Sequence, residues 1–409
     1  MCMKYFTHTL SNGLRIVHLP DNSPVSYCGF AVNVGTRDET PSQHGIAHFV
    51  EHLLFKGTHH RKAWHILNSM ETEGGELNAY TTKEETFVYA VFLETALEKA
   101  IDLMADMVAN SIFPPKEIAK EADIILDEIE SYNDSPSELI FDDIEQLLFE
   151  TYPIGRNILG TPESVAGFVR QDLIQFHAEH YCSDRMLFFS LGNTDFQKLV
   201  RLGEKYLTSI PASSQLYQRE VPQLYLPKQH VVHKDTHQSH FILGNRAYSL
   251  SHPNRLPFYL LNNILGGPGM NSLLNLSLRE RSGLVYNVES NYTPYTDTGT
   301  FTIYYGTDPK NQDKCRALVR KELDKLKEKP LSERQLDKAK HQLLGQLAIA
   351  AENKESMALG FGRSMLQMGA FESIDDIMAS LQQIEPLDLQ TIAQEIFDEN
   401  QLSSLLYHE

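Results

Sequence analysis

His48-Phe49-Val50-Glu51-His52, inside the longer run Gly45-Ile46-Ala47-His48-Phe49-Val50-Glu51-His52-Leu53-Leu54-Phe55-Lys56-Gly57-Thr58, puts two imidazoles and a carboxylate on one helix face. Residues three and four apart on a helix stack over one another, so His48, Glu51 and His52 point the same way. Two histidines at i and i+4 can hold a zinc ion, and a glutamate between them can act as a base on a water held there. The order His-x-x-Glu-His is the inverse of the commoner His-Glu-x-x-His.

A zinc held by two neutral imidazoles needs at least one further protein ligand. The apolar spacing predicts a helix over Lys116 to Tyr132, opened by Pro114-Pro115, and this helix is the natural donor. Glu121 and Glu128 lie two turns apart and share its face, with Ile118, Ile125 and Ile129 on the apolar side nearby. One carboxylate can bind the metal while the other fixes the tautomer of a ligand imidazole. Periodicity does not assign the two roles, and Asp127 and Glu130 are competitors on the same helix.

The 409 residues predict two domains of about two hundred residues each. Composition is globular, 42% apolar and 22% charged, and the 36 basic against 54 acidic residues give a net charge of −18. That balance argues against nucleic-acid and anionic-membrane partners and mildly favours neutral or basic substrates. Cys2, Cys28, Cys182 and Cys315 are scattered with no Cys-x-x-Cys, which reads as reduced thiols. With no apolar leader after Met1 and no run of about twenty apolar residues, the expectation is a cytoplasmic protein without a membrane span.

Strand-like alternation runs from Tyr5 to Val34 around the hairpin signal Ser11-Asn12-Gly13, and a second β-rich run covers Thr86 to Phe92. Helical spacing follows from Glu94 to Ala109, and a strand from Met186 ends at Gly192. Residues 211–228, with Pro211, Pro222 and Pro227, form the expected linker between domains 1–210 and 229–409. Beyond it the order begins again: a strand-like run Val231 to Leu243, a helix Pro257 to Leu265, and the turn Gly266-Gly267-Pro268-Gly269. A helix to about Arg281, strands from Val285 to Tyr305, a helix from Cys315 to Lys327 and another from Ser332 complete the second half. Phe113-Pro114-Pro115-Lys116-Glu117-Ile118 lies over Leu331-Ser332-Glu333-Arg334-Gln335-Leu336, and in that register Ile125 and Leu126 fall on Leu343 and Leu344, and Glu128 on Gln346. A duplicated α+β unit follows, in which the first copy keeps the acidic chemistry.

The Gly45–Thr58 segment resembles the signature of the inverted-zinc-motif peptidases of the pitrilysin/insulinase (M16) family. More narrowly, it resembles the mitochondrial-processing-peptidase-like M16B branch and its bacterial members. In that family the zinc-binding glutamate follows the second histidine by about seventy-six residues, which is the separation of His52 and Glu128. The resemblance therefore implies zinc ligands His48, His52 and Glu128, one zinc per chain, Glu51 as catalytic base, and Glu121 as the glutamate that supports the ligands from behind. Asn78-Ala79-Tyr80-Thr81 resembles the family's edge strand, implying that Asn78 and Ala79 pair with extended substrate backbone. Arg279-Glu280-Arg281-Ser282-Gly283-Leu284-Val285-Tyr286 and Gly266 to Ser272 resemble motifs of the family's C-terminal domain, where Arg279 and Tyr286 would contact substrate. Tyr152-Pro153-Ile154-Gly155 and Ile158-Leu159-Gly160-Thr161 fit the family as well.

The fold implied is α+β: two homologous domains of the LuxS/mitochondrial-processing-peptidase-like metallohydrolase type, each a mixed, mostly antiparallel sheet packed with helices. The first would carry the zinc and the second would lack it. The activity implied is that of a zinc metalloendopeptidase acting on peptides or unfolded segments in a chamber made by two chains. This chain carries both the zinc set and the Arg/Tyr pair, so a homodimer is expected, with a heterodimer with a related chain as the other arrangement. The competing function is a non-catalytic or substrate-presenting subunit of a heteromeric complex. A phosphate-binding loop is excluded at Gly266-Gly267-Pro268-Gly269, which lacks the Lys-Ser/Thr ending and whose proline has no N–H to offer.

Overall fold

The computed structural model describes residues 4–213, 218–223, 225–234 and 236–408. Cys2 and part of the 211–228 stretch lie outside the described residues. The strands are β1 (Phe6–Thr9), β2 (Arg15–Pro20), β3 (Val25–Val32), β4 (Glu76–Thr81), β5 (Thr86–Leu93), β6 (Met186–Gly192), β7 (Gln229–His233), β8 (Ser239–Arg246), β9 (Val285–Pro294), β10 (Gly299–Thr307) and β11 (Ser403–His408). The first eight helices are α1 (Ile46–Leu53), α2 (Ala63–Glu71), α3 (Leu97–Asn110), α4 (Pro115–Asn133), α5 (Pro136–Phe149), α6 (Pro162–Gly167), α7 (Arg170–His180) and α8 (Phe196–Tyr206). After them come α9 (Arg255–Gly266), α10 (Gln312–Glu328), α11 (Glu333–Ala350), α12 (Lys354–Gln367), α13 (Ile374–Gln382) and α14 (Pro386–Ile396).

The chain forms two compact units, each on its own sheet. The first sheet has the order β1-β2-β6-β3-β5-β4, with β2 and β6 parallel and the other pairs antiparallel. Period-two alternation sorts its side chains. Val88, Ala90 and Phe188 enter a core with Phe49 of α1, Leu103 of α3 and Ile125 of α4. Phe87, Tyr89, Leu187 and Phe189 face the other way, onto Ala358, Phe361 and Met365 of α12. Gly362 is what lets α12 lie so close, because a Cβ there would sit 3.0 Å from the Phe189 ring.

The second sheet has the order β7-β11-β8-β10-β9, with β7 and β11 parallel and the rest antiparallel. This is the arrangement β2-β6-β3-β5-β4 repeated, so the duplicated order in the sequence has a counterpart in strand topology. The helices repeat as well. Pro115 and Glu333 open α4 and α11 in the register read from sequence, and α5 and α12 begin and end in that same register. Each of these following helices belongs to the unit built from the opposite half of the chain. The first unit comprises Met1–Glu130, Arg156–Arg219 and Ala350–Phe371; the second comprises Ser131–Gly155, Glu220–Ile349 and Glu372–Glu409. Accordingly, Ile140, Ile144 and Leu148 of α5 pack on Ile242, Tyr304, Leu405 and Tyr407 of the second sheet. Its opposite face buries Phe241, Ile303 and Tyr305 among Phe258, Val319, Leu323 and Ile392.

Two local features differ from the sequence expectation. The strand-like run 231–243 is two strands, β7 ending at His233 and β8 beginning at Ser239. The helix expected to reach Arg281 is a π-helical stretch, Asn275–Glu280. Cys28, Cys182 and Cys315 are buried free thiols. Among the described residues, no helix is long and apolar enough to cross a membrane.

Candidate metal centre

Helix α1 has eight residues, too few for stability in isolation. Its position comes from packing and from its first turn. Ile46, Ala47, Phe49, Val50 and Leu53 are fully buried, and large side chains such as Phe49 and Leu53 each contribute about 1.5–3 kcal/mol by leaving water. Gly45 precedes the helix at φ +93, in the left-handed region. A Cβ there would meet Leu159 O at 2.7 Å and Gly160 Cα at 2.8 Å, so the Gly45 and Gly160 backbones can approach only as glycines. The buried Glu39 carboxylate accepts the N–H groups of Gly45 and Ala47, each at 2.9 Å, and satisfies two donors of the helix entrance. Burial pushes the Glu39 carboxyl above the usual range, while those two N–H groups and Arg156 pull the other way.

With α1 so held, its polar stripe meets α4. Oε2 of Glu128 lies 3.9 Å from Nε2 of His48 and 3.9 Å from Nε2 of His52. One ligand atom from each of the three residues falls within 4.8 Å of the others; neither Asp127 nor Glu130 joins this set. Atoms bound to a tetrahedral zinc stand roughly 3.4 Å apart. The partly exposed Glu128 needs only a small closure to fit, and two nitrogens with one oxygen are a donor set suited to zinc with a fourth position open. Burial, and then the neighbouring His52, depress His48 to about 3, so its imidazole is neutral and keeps a lone pair for a metal.

Glu121 is buried one heptad before Glu128. Its Oε2 lies 3.1 Å from Nδ1 of His52, and its Oε1 is 2.8 Å from Nζ of Lys56. A carboxylate can only accept, so Nδ1 of His52 carries a proton, and in the neutral ring that a metal binds Nε2 keeps the lone pair on the Glu128 side. Lys56, one turn beyond His52, holds the far side of that carboxylate. The zinc motif itself does not mark Lys56; its i+4 spacing from His52 is the one signal of it in the sequence. Replacing Glu121 with Ala frees the His52 ring and is expected to weaken zinc binding 10- to 100-fold. Competition with a chelating dye measures this directly, and an unchanged affinity would remove Glu121 from the centre.

Glu51 sits between the histidines and is buried. Its Oε2 accepts a hydrogen bond from Thr81 Oγ1 at 2.8 Å. Burial raises its carboxyl above the ordinary range; the Thr81 hydrogen bond and His52 oppose the rise, and the Glu128 charge adds to it. Asn78 and Ala79 lie on β4, which among the described residues pairs with β5 on one side only and forms the edge of the first sheet, beside α1. Arg279 and Tyr286 belong to the second unit, at the π-helical stretch and the start of β9. Arg279 is half exposed, its Nε 3.8 Å from Glu280 Oε1, and Tyr286 is 86% exposed.

Comparison with known proteins gives the class. Residues 15–162 match the family model described as insulinase (peptidase family M16), and residues 167–343 match the model described as the peptidase M16 inactive domain. The uncharacterized zinc protease YmxG of Bacillus subtilis is 32% identical over 98% of this chain and 97% of its own length. An uncharacterized zinc protease of Streptomyces coelicolor is 33% identical over 95% of this chain and 86% of its own length. The chain belongs to the M16 peptidase family. A protease from Helicobacter pylori shares the fold with a TM-score of 0.91 at 24% identity, covering 99% of this chain and all of that one. An M16 inactive-domain protein from Pseudomonas fluorescens aligns with a TM-score of 0.92 at 19% identity, over 99% and 97% of the two chains.

Proposed function

We propose that this chain is a zinc-dependent endopeptidase of the mitochondrial-processing-peptidase-like branch, holding one zinc between His48, His52 and Glu128. The observation that carries the reading is the convergence of those three side chains beside the buried Glu51 carboxylate. The relatives named as zinc proteases, similar over nearly their whole length, support it. A zinc ion in this donor set supplies a Lewis acid and lowers the pKa of water to near neutrality.

Glu51 takes a proton from the attacking water and passes it to the leaving amine. Its raised affinity for a proton, a consequence of burial, suits a group that must both accept and return one. The free edge of β4 offers backbone N–H and C=O groups to an extended peptide, with Asn78 and Ala79 at the centre of the strand. The exposed Tyr286 hydroxyl and the Arg279 guanidinium are donors for a peptide carbonyl or a developing oxyanion. In a homodimer, Arg279 and Tyr286 of one copy would serve the metal centre of the other, and the enclosure would admit peptides and unfolded segments. The buried free thiols accord with the reducing cytoplasm.

The test uses the purified chain with a mixed peptide library and sedimentation in the same buffer. A dimer whose cleavage is abolished by a chelator and restored by zinc is expected. A zinc-loaded dimer that cleaves nothing would overturn the reading.

A further inference from the structure

The Glu51 carboxylate has a hydrogen-bonding partner that the sequence motif does not contain. Thr81 is the last residue of β4, and its hydroxyl donates to Glu51 Oε2 across thirty positions of chain. Both side chains are buried, Thr81 at 9% and Glu51 at 8% exposure, so water competes poorly for this bond. Behind it, Oγ1 of Thr86 lies 3.4 Å away and gives its one proton to Val34 O at 2.9 Å, so the two threonine hydroxyls touch without a hydrogen bond between them. Thr81 and Thr86 are also paired across the β4–β5 ladder. The result is a polar row, Val34 O, Thr86, Thr81, Glu51, running from the sheet interior to the carboxylate.

We infer that Thr81 is a positioning residue for the peptidase reaction: its hydroxyl holds the Glu51 carboxylate in the orientation needed for proton transfer and ties that orientation to the strand on which substrate docks. A glutamate side chain has three rotatable bonds, and α1 fixes only the first atoms of it. One carboxylate oxygen is occupied by Thr81, which leaves the other to take the proton. Peptide pairing along Asn78 and Ala79 stiffens β4 only two residues from Thr81, so substrate docking would also steady the base. This rests on the peptidase reading above.

The test compares Thr81→Val, which keeps the shape and loses the hydroxyl, with Thr81→Ser, which keeps the hydroxyl. For Thr81→Val, kcat is expected to fall roughly 10- to 100-fold, the scale for a misplaced reacting group. KM should stay within about twofold and zinc content should be unchanged, while Thr81→Ser retains most of the activity. Crystal structures give a readout independent of turnover: one Glu51 conformer in the parent protein, and more than one in Thr81→Val. A single unchanged Glu51 conformer in Thr81→Val, full activity in that variant, or equal losses in the Val and Ser variants would each overturn the inference while leaving the peptidase reading intact. Absence of cleavage by the zinc-loaded parent protein would overturn both.

Discussion

Replacing Glu51 with Gln is expected to leave zinc in place and to lower kcat by about three orders of magnitude, within the 10²–10⁴ range for removing a general base. The substitution is close to isosteric, and its amide oxygen still accepts from the Thr81 hydroxyl. The side chain therefore stays in its buried site while losing the capacity to accept a proton. A thousandfold loss corresponds to about 4 kcal/mol of transition-state stabilisation. The zinc donors are on other residues, so metal analysis should find the same zinc per chain as in the parent protein. Because the defect lies in proton transfer and not in peptide docking, KM should change little. Steady-state kinetics beside metal analysis checks both halves, and a zinc-replete Glu51→Gln enzyme with normal turnover would remove Glu51 from the mechanism.

The second large effect concerns the metal itself. His48→Ala or His52→Ala removes one of three donors and should abolish stoichiometric zinc binding, and activity with it. Stability reports the same event, because a ligand that binds the folded chain stabilises it by mass action, about 4 kcal/mol at a thousand times its Kd. Zinc should accordingly raise the Tm of the parent protein and leave that of either variant nearly unmoved. His52→Ala carries a further cost: among the described residues, Glu121 stays buried with Lys56 as its one remaining ion-pair partner. Its apo form is therefore expected to be less stable than that of His48→Ala, whose Nδ1 makes no hydrogen bond among the described residues. Equal zinc content in parent and variants would show that the ion is held elsewhere.

Much of this architecture is legible in the chain because it is local or periodic. The i, i+3, i+4 spacing of His48, Glu51 and His52 marks one helix face, and the heptad from Glu121 to Glu128 marks another. The distance from His52 to Glu128 links them only through family resemblance. The repeated order of strands and helices also reads from sequence, down to the register of α4 and α11. What sequence does not disclose is which surface an apolar helix face will meet. The stripes of α5 and α12 predict two amphipathic helices, yet nothing in their periodicity says that each covers the sheet made by the opposite half of the chain. The long-range polar contacts are equally invisible: Glu39 at the entrance of α1, Lys56 behind Glu121, and Thr81 against Glu51. Their residue types are common on surfaces, and only the fold brings them inside. Gly45 and Gly160 belong to this group too, since their need for glycine arises where two backbones cross.

The central claim is that one zinc ion sits between His48, His52 and Glu128. Anomalous diffraction collected on either side of the zinc edge, from crystals of the zinc-loaded protein, tests it most directly. One peak per chain is predicted, about 2.0–2.2 Å from Nε2 of His48, Nε2 of His52 and a carboxylate oxygen of Glu128. A peak at other residues, or none in protein that carries zinc by metal analysis, would contradict the account.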